Sequence, residues 1–435
     1  MALFHRSLLS LSLFLLCRPC IALDTSVVNQ LPDPLTAKED QQVNPDQQVM
    51  KPAEMWRKLR RPELLKLAEE KMYGCAPEHP KNLRFEVQEQ AANALGGKAT
   101  RKQVTIYFDG TAQGPKTELL IYVPNDRKGP VPAFLAINFW GNQTVNADPA
   151  IRLPESWEES GKYPWADLSV MKEHRATEAS RGINAAQWPI EKMIERGYAF
   201  VTFYRGDIFA DSLLGNEYPG DPLQTGLLGA HPELQNRDDN FSGIGAWAWA
   251  LSRALDYLET EPAINAHKVA VFGWSRLGKA AIWAGAEDER FAMVISNESG
   301  KGGAALSKHL VGETVEHLNQ AYPYWFCKNF RKYSKDVSAL PFDQNKILTL
   351  IAPRPLYVAS AIDDTGSDPL GEFLAVQAAS SMWPVLGETG LTAKEWPAVN
   401  QPVQGRVAYH VRSGGHDVTE FDWSQYLDFA DRFLR

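Results

Sequence analysis

Several things are scarce in this chain, and each scarcity removes a class of function. Cysteine occurs four times in 435 residues. Two of the four, Cys17 and Cys20, fall in an N-terminal apolar region, which leaves Cys75 and Cys327. A disulfide-built scaffold is excluded, while one bridge between these two or a pair of buried free thiols both stay open. Histidine occurs nine times, and no Cys/His cluster has the spacing of a zinc site, so no metal and no cofactor are implied. Positive charge is in deficit: 45 Lys and Arg stand against 53 Asp and Glu, a formal net charge of -8. With no basic patch, nucleic acid is not the expected partner. Long apolar runs are missing too. The N-terminal run Leu8 to Leu16 is too short to span a bilayer, and no other segment approaches that length, so a membrane is not an expected partner.

That short run has another reading. His5 and Arg6 precede it and Cys20-Ile21-Ala22 supplies small residues for cleavage, the pattern of a signal peptide over residues 1–22. The expectation is a secreted or periplasmic protein. Residues 23–54, rich in Gln, Asp and Pro, read as a linker or surface arm. Residues 55–435 read as a single catalytic domain, expected to act as a monomer.

Within that domain, Met55 to Met72 has helical periodicity, with Pro62 expected to open a second helix and Gly74 as a stop. Alternating runs in 83–123 predict antiparallel strands. From Ala133 onward the pattern changes to continuous apolar runs: AFLAINF, YAFVTFY, VAVF, FAMVIS and LYVAS. Such runs mark strands buried on both faces of a parallel sheet. Helical stretches separate them, notably Gly243 to Leu258 and Lys279 to Ala286. The fold class is therefore α/β, a doubly wound, mostly parallel sheet of the α/β-hydrolase type with loop insertions. The stretch 141–190, rich in Trp, Pro and Glu, reads as such an insertion.

One junction carries chemistry. Gly273-Trp274-Ser275-Arg276-Leu277-Gly278 joins the strand VAVF to an Ala-rich helix. A nucleophile elbow needs that context: a strained strand-to-helix turn lifts the serine hydroxyl out of the sheet. The usual second Gly arrives one residue late, giving G-x-S-x-x-G. Ser275 is the candidate nucleophile. His416, in Ser413-Gly414-Gly415-His416-Asp417 after the last apolar strand, is the candidate base. The acid is open between Asp364, after LYVAS, and Glu298, after FAMVIS; either could orient an imidazole.

GWSRLGKAA followed by NESGKGGAAL resembles the glucuronoyl esterases, carbohydrate esterase family 15, in their bacterial branch. Tyr324-Trp325-Phe326, Leu340-Pro341-Phe342-Asp343-Gln344, Ala352-Pro353-Arg354-Pro355, Gly371-Glu372-Phe373 and His416-Asp417-Val418-Thr419 extend the likeness in order. The resemblance implies hydrolysis of esters between 4-O-methyl-glucuronic acid of xylan and lignin alcohols, a polysaccharide or lignin–carbohydrate ester as substrate. It implies Glu298 as triad acid and Asp364 as a second acid. Arg276 would face the oxyanion, and Lys279 and Glu313 would contact sugar hydroxyls. An acetyl-xylan or other carbohydrate esterase, and a non-catalytic carbohydrate-binding protein, are the competing expectations. The sequence also departs from the family. Gly366 stands where a Trp is expected to cover the sugar, with Trp140, Trp188 and Trp383 as candidates to fill the gap.

Overall fold

The computed structural model describes Leu35 and residues 50–163, 166–212 and 218–435. The expected signal peptide, 1–22, and nearly all of the 23–54 arm lie outside the described residues. The helical stretch begins at Pro52 and runs unbroken to Tyr73 (α1, 52–73), with two wide five-residue turns at Trp56–Arg60 and Glu69–Tyr73. Pro62 does not open a separate helix. It sits in the first turn of Arg61–Ala68, where its missing N–H is tolerated and the chain continues.

Nine strands form one sheet. The first three are β1 (Arg84–Ala94), β2 (Ala99–Tyr107) and β3 (Lys116–Pro124), followed by β4 (Val131–Asn138) and β5 (Ala199–Tyr204). Next come β6 (Ile264–Trp274), β7 (Met293–Asn297), β8 (Leu356–Ala361) and β9 (Val407–Arg412). Their order across the sheet is β1-β2-β3-β5-β4-β6-β7-β8-β9. Pairings from β1 through β3 to β5 are antiparallel, and all from β5 to β9 are parallel. The alternating and continuous apolar runs of the sequence mark these two halves.

Side-chain register shows how the sheet is covered. The helices that follow the parallel strands are α2 (Ile190–Glu195), α3 (Gly243–Leu258), α4 (Arg276–Glu287), α5 (Val315–Ala321), α6 (Gln344–Thr349), α7 (Pro369–Ala379) and α8 (Glu420–Phe433). Trp423 of α8 packs on Phe272 of β6, with ring centroids 4.6 Å apart, and on Phe134 of β4. Val294 of β7 is in register with Val271, so it faces away from Phe272. Gly285 of α4 approaches that Val294. Thus α4 and α8 cover opposite faces. Behind α4, Trp283 stacks on Tyr73 of α1 at 4.2 Å. Cys75 and Cys327 are free thiols, not a disulfide. Among the described residues, no helix is long and apolar enough to cross a membrane.

The closeness of α4 to the sheet is testable. A Cβ on Gly285 would lie 2.3 Å from Val294 Cγ2. Gly285→Ala should therefore lower stability by about 1–3 kcal/mol through overpacking, although Ala is the better helix former. A melting temperature equal to or above that of the unaltered protein would contradict this packing.

Candidate active site

Four consecutive parallel strands deliver the candidate residues from their carboxyl ends, the edge where α/β sheets bind ligands. Ser275 follows β6, Glu298 follows β7, Asp364 follows β8 and His416 follows β9. Ser275 has φ 57° and ψ -131°, and Glu298 has φ 48°. Both are left-handed and neither is glycine, a strain of about 1–3 kcal/mol each that characteristically collects at functional sites. The two strained residues are neighbours in register. Trp274 pairs with Asn297, and the Ser275 N–H donates to the Asn297 carbonyl at 2.9 Å.

The crowding of the elbow explains the late glycine. A Cβ on Gly273 would fall 2.0 Å from the Leu277 carbonyl oxygen. At the far side, Gly278 rather than residue 277 meets β7's outgoing loop, and a Cβ there would lie 2.9 Å from Ser299 Cβ. Leu277 is buried in the core. The second small residue is needed one position later because that is where the helix touches the 298–300 loop. Ser275 precedes the first residue of α4 and so stands at the positive end of its dipole.

His416 Nδ1 lies 2.7 Å from Asp364 Oδ2 and 3.2 Å from Glu298 Oε2. Both candidate acids therefore reach the same ring nitrogen. Asp364 makes the shorter contact. Glu298 is fully buried and more heavily engaged: its Oε2 accepts the Asp417 N–H at 2.9 Å, and its Oε1 accepts from Arg412 Nη2. Its ion-pair partner is Arg412, whereas Lys301 pairs with Asp368 and Arg276 with Asp211. Arg412 Nε also donates to Asp422 Oδ2 at 2.8 Å, and Asp422 Oδ1 meets His410 Nε2 at 2.8 Å. Arg412 further donates to the carbonyls of Ser413, Gly415 and Asp417, holding the turn that carries His416.

Burial and charge oppose each other here. Burial pushes the Glu298 carboxyl up to about 7, although His416 and Arg412 pull it down. Burial would lower the His416 imidazole, but the hydrogen bonds and charges of Asp364 and Glu298 push it up to about 9. The Asp364 carboxyl is held below its ordinary value, His416 outweighing burial. Atoms of Glu298, Asp364 and His416 lie within 4.8 Å of one another, the only grouping with possible metal-ligand spacing among the described residues. Within this group the contact between His416 Nδ1 and Asp364 has the length of a hydrogen bond.

A cavity of about 250 Å³ opens above these groups, lined by Ser275, His416, Arg276, Lys279, Glu313 and Trp140 among others. Of the three Trp proposed to stand in for residue 366, only Trp140 reaches it. Trp188 packs in the core against Phe200 and Phe272, and buried Trp383 donates its indole N–H to the Arg354 carbonyl. Lys279 Nζ donates to the Ser299 carbonyl at 2.6 Å and stands 3.8 Å from Glu313 Oε2. Burial holds its ammonium below the usual lysine range, with Glu313 opposing. Gly366 also lines the cavity; a Cβ there would meet nothing closer than Asp364 Oδ1 at 3.7 Å.

Sequence reasoning missed the residues that hold Arg276. Its Nη1 donates to Asp211 Oδ2 at 2.9 Å, and its guanidinium lies 4.3 Å from the Trp325 ring centroid and 4.9 Å from that of Tyr322. Those two rings stack on each other at 3.7 Å. Asp211 is fully buried and also accepts from Arg205 and from the Trp325 indole, while Arg205 pairs with buried Glu159. Glu372 was missed in a similar way. Fully buried, it accepts from the Gly300 N–H, Ser299 Oγ and Ser360 Oγ, and burial pushes it up to about 8. It fixes the loop whose carbonyl receives Lys279.

Known proteins share this arrangement's framework. The family profile described as glucuronyl esterase, fungi, matches residues 182–387. A carbohydrate esterase from an unknown prokaryotic organism is 43% identical over 404 residues, 93% of this chain and 89% of that one. The 4-O-methyl-glucuronoyl methylesterase 1 of Wolfiporia cocos is 37% identical over 219 residues, 47% of this chain and 52% of its own. Among solved structures, a promiscuous esterase of carbohydrate esterase family 15 from a marine bacterial metagenome superposes with TM-score 0.83 at 42% identity, over 93% of this chain and 97% of that one. The glucuronoyl esterase of Solibacter usitatus does so with TM-score 0.83 at 40% identity, over 93% and 98%. The chain therefore belongs to the glucuronoyl esterases of carbohydrate esterase family 15 and is a carboxylic ester hydrolase.

Proposed function

We propose that this enzyme cleaves the ester joining (4-O-methyl-)glucuronic acid of glucuronoxylan to lignin alcohols, by a serine acyl-enzyme route. The observation that supports it best is the convergence of Ser275 and a carboxylate-flanked His416 on one cavity that also holds buried Arg276 and Lys279. Ser275 Oγ attacks the ester carbonyl carbon as the far nitrogen of His416 takes its proton. The oxyanion develops beside the Arg276 guanidinium, which the buried Asp211 and the Trp325 ring hold in place before substrate arrives. His416 then gives its proton to the departing alcohol. Water, deprotonated by the same imidazole, releases the uronic acid. Lys279 and Glu313 are assigned to the sugar hydroxyls. We assign Asp364 and Glu298 jointly to the acid role, and residues 55–435 to one catalytic domain exported by way of residues 1–22.

A second reading, broader action on carbohydrate esters including acetates, is favoured by one feature. Gly366 leaves the cavity without an indole at the position the sequence expects, so less of the sugar ring is specified.

Ser275→Ala should fold normally and lose at least about 10³-fold in kcat on a benzyl glucuronate ester. Turnover near the original rate would end the acyl-enzyme route. Shared orientation of His416 makes a distinct forecast for the acids. Asp364→Asn and Glu298→Gln should each cost about 10–10² in kcat and the double substitution about 10⁴, the loss seen when a lone triad acid is removed. A single variant as poor as the double would assign the role to that residue alone.

The pH profile follows from the same pair. The base must be neutral to work, so kcat/KM should rise with pH along a limb displaced from the ordinary 6.5 toward 9. Arg412→Met removes the cation that favours ionised Glu298. Glu298 then takes up a proton, its pull on His416 disappears, and the limb should move to lower pH. Arg412→Lys should keep the limb while lowering kcat. An unmoved limb in Arg412→Met would show that Arg412 serves the turn and not the charge.

Gly366→Trp tests the missing platform. If the sugar lacks a cover, this variant should lower KM for glucuronate esters several-fold with kcat little changed, an indole adding a flat apolar face and one donor. Unchanged KM beside an already tight original value would give the cover to another side chain.

A further inference from the structure

The two carboxylates that flank His416 hold it at one end only. Asp364 Oδ2 and Glu298 Oε2 both meet Nδ1, at 2.7 and 3.2 Å. Hydrogen bonds tolerate a spread of angles, so contacts at a single ring nitrogen leave the plane of the ring loosely defined. The far nitrogen, which must take the proton of Ser275, stands on the opposite side of the ring, where a given tilt displaces it most. Close packing all round does not stop the tilt, because the His416 side chain is 37% exposed. Another neighbour has to set the plane.

The indole of Trp274 lies where it can do so. Trp274 ends β6, one residue before the candidate nucleophile. It shares the sheet face of Phe272, two positions earlier, which is the face that α8 covers. The turn carrying His416 leads directly into α8, so imidazole and indole meet on that face. Their centroids are 5.2 Å apart with 35° between the planes, nearer an offset stack than an edge-on contact. The indole is itself braced. Phe139, just past the end of the neighbouring β4, meets it edge-to-face at 5.0 Å, and the Phe139 carbonyl accepts from buried Arg205 Nε at 3.1 Å. Arg205 belongs to the network that presets Arg276, so base and oxyanion partner are referred to one rigid support.

The chemistry of residue 274 argues for use of the ring rather than for filling of space. Its indole N–H is buried and has no hydrogen-bond partner among the described residues. A buried Trp usually finds a partner, and an unmatched donor is costly. An aliphatic side chain would pack there without that cost. What the position uses is therefore the flat breadth of the ring. We propose that Trp274 is a positioning residue for the base: its indole sets the plane of the His416 ring, so that the nitrogen not engaged by Asp364 and Glu298 is directed at Ser275. This rests on the serine acyl-enzyme reading and not on the identity of the ester. The elbow then supplies two things from adjacent residues, the nucleophile and the stop against which its base is aligned.

The test compares Trp274→Leu, which stays apolar but loses the flat face, with Trp274→Phe, which keeps a flat ring. On a benzyl glucuronate ester, Trp274→Leu should lower kcat about 10–10²-fold and Trp274→Phe by less than about threefold, the scale set by misplacing a catalytic group. KM should move little in either. Circular dichroism gives the folded fraction, by which each rate is divided. A second readout needs no sugar. A fluorophosphonate forms a bond from phosphorus to Ser275 Oγ and expels fluoride as His416 takes the serine proton. Inactivation by this reagent should slow in Trp274→Leu by the factor seen in kcat and be kept in Trp274→Phe. Equal losses in the two variants, or a loss confined to KM, would overturn the role. So would a Trp274→Leu enzyme inactivated as fast as the unaltered one. Failure to hydrolyse the glucuronate ester, with inactivation that still slows in Trp274→Leu and recovers in Trp274→Phe, would remove the uronic-ester reading and leave the positioning role standing. Modification of Ser275→Ala at the unaltered rate would remove the serine route, and this role with it.

Discussion

The acid and imidazole side of the candidate site leans on one buried cation, Arg412. It lies between two fully buried carboxylates, Glu298 and Asp422, and donates to three carbonyls of the turn that carries His416. Two anions taken out of water without it would be untenable: removing one partner of a buried pair costs about 3–5 kcal/mol. Even with Arg412 present, burial wins at Glu298 and raises its carboxyl to about 7. The balance is close, and that closeness matters. A carboxyl poised near neutrality responds to the charge of His416, so acid and imidazole titrate as a coupled set rather than as independent groups.

The strained backbone needs the same support. Ser275 and Glu298 sit side by side at the ends of β6 and β7, both with positive φ. Each is held from several directions: Ser275 by the Asn297 carbonyl and the start of α4, Glu298 by the Ala359 carbonyl and by Arg412. A parallel sheet suits such strain because its interior strands cannot shift without disturbing neighbours on both sides. On the opposite flank of the cavity, Arg276 is preset by a second buried network, Asp211 with Arg205 and Glu159. Charge on charge, two cations face two anions there, so the guanidinium is held without a net charge being buried.

Much of the fold could be read from the chain because its signals are local. Continuous apolar runs marked β4 to β8, alternation marked β1 to β3, and a glycine-flanked serine between strand and helix marked the elbow. His416 stood out for its glycine-rich turn after the last strand. What escaped were residues whose meaning depends on distant partners. Arg412 looks like the polar end of an apolar strand, and nothing in VAYHVR announces that it will meet a glutamate 114 residues earlier. Asp211 lies in a segment with no motif, and only the close approach of Trp325 and Arg276 gives it a role. Pro62 misled for the converse reason: a helix-start signal was present, but the preceding turn was already helical. Trp188 and Trp383 were plausible by type alone, and the core claimed both.

The contact between the 312–314 and 364–367 segments has a consequence for how such an enzyme can change. The Glu313 N–H donates to the Gly366 carbonyl at 2.8 Å, and a Cβ on Gly312 would lie 2.5 Å from that same oxygen. The bond is made by main chain alone, so it is indifferent to the side chain at 366. That side chain can grow, shrink or vanish while Glu313 keeps its address. On the proposed reading of the cavity, the wall thus separates two duties that most binding sites entangle: the backbone fixes where Glu313 stands, and residue 366 would set how much of a bound sugar is covered. If residue 366 does set that cover, selectivity can be retuned at one codon without reopening the problem of folding the site.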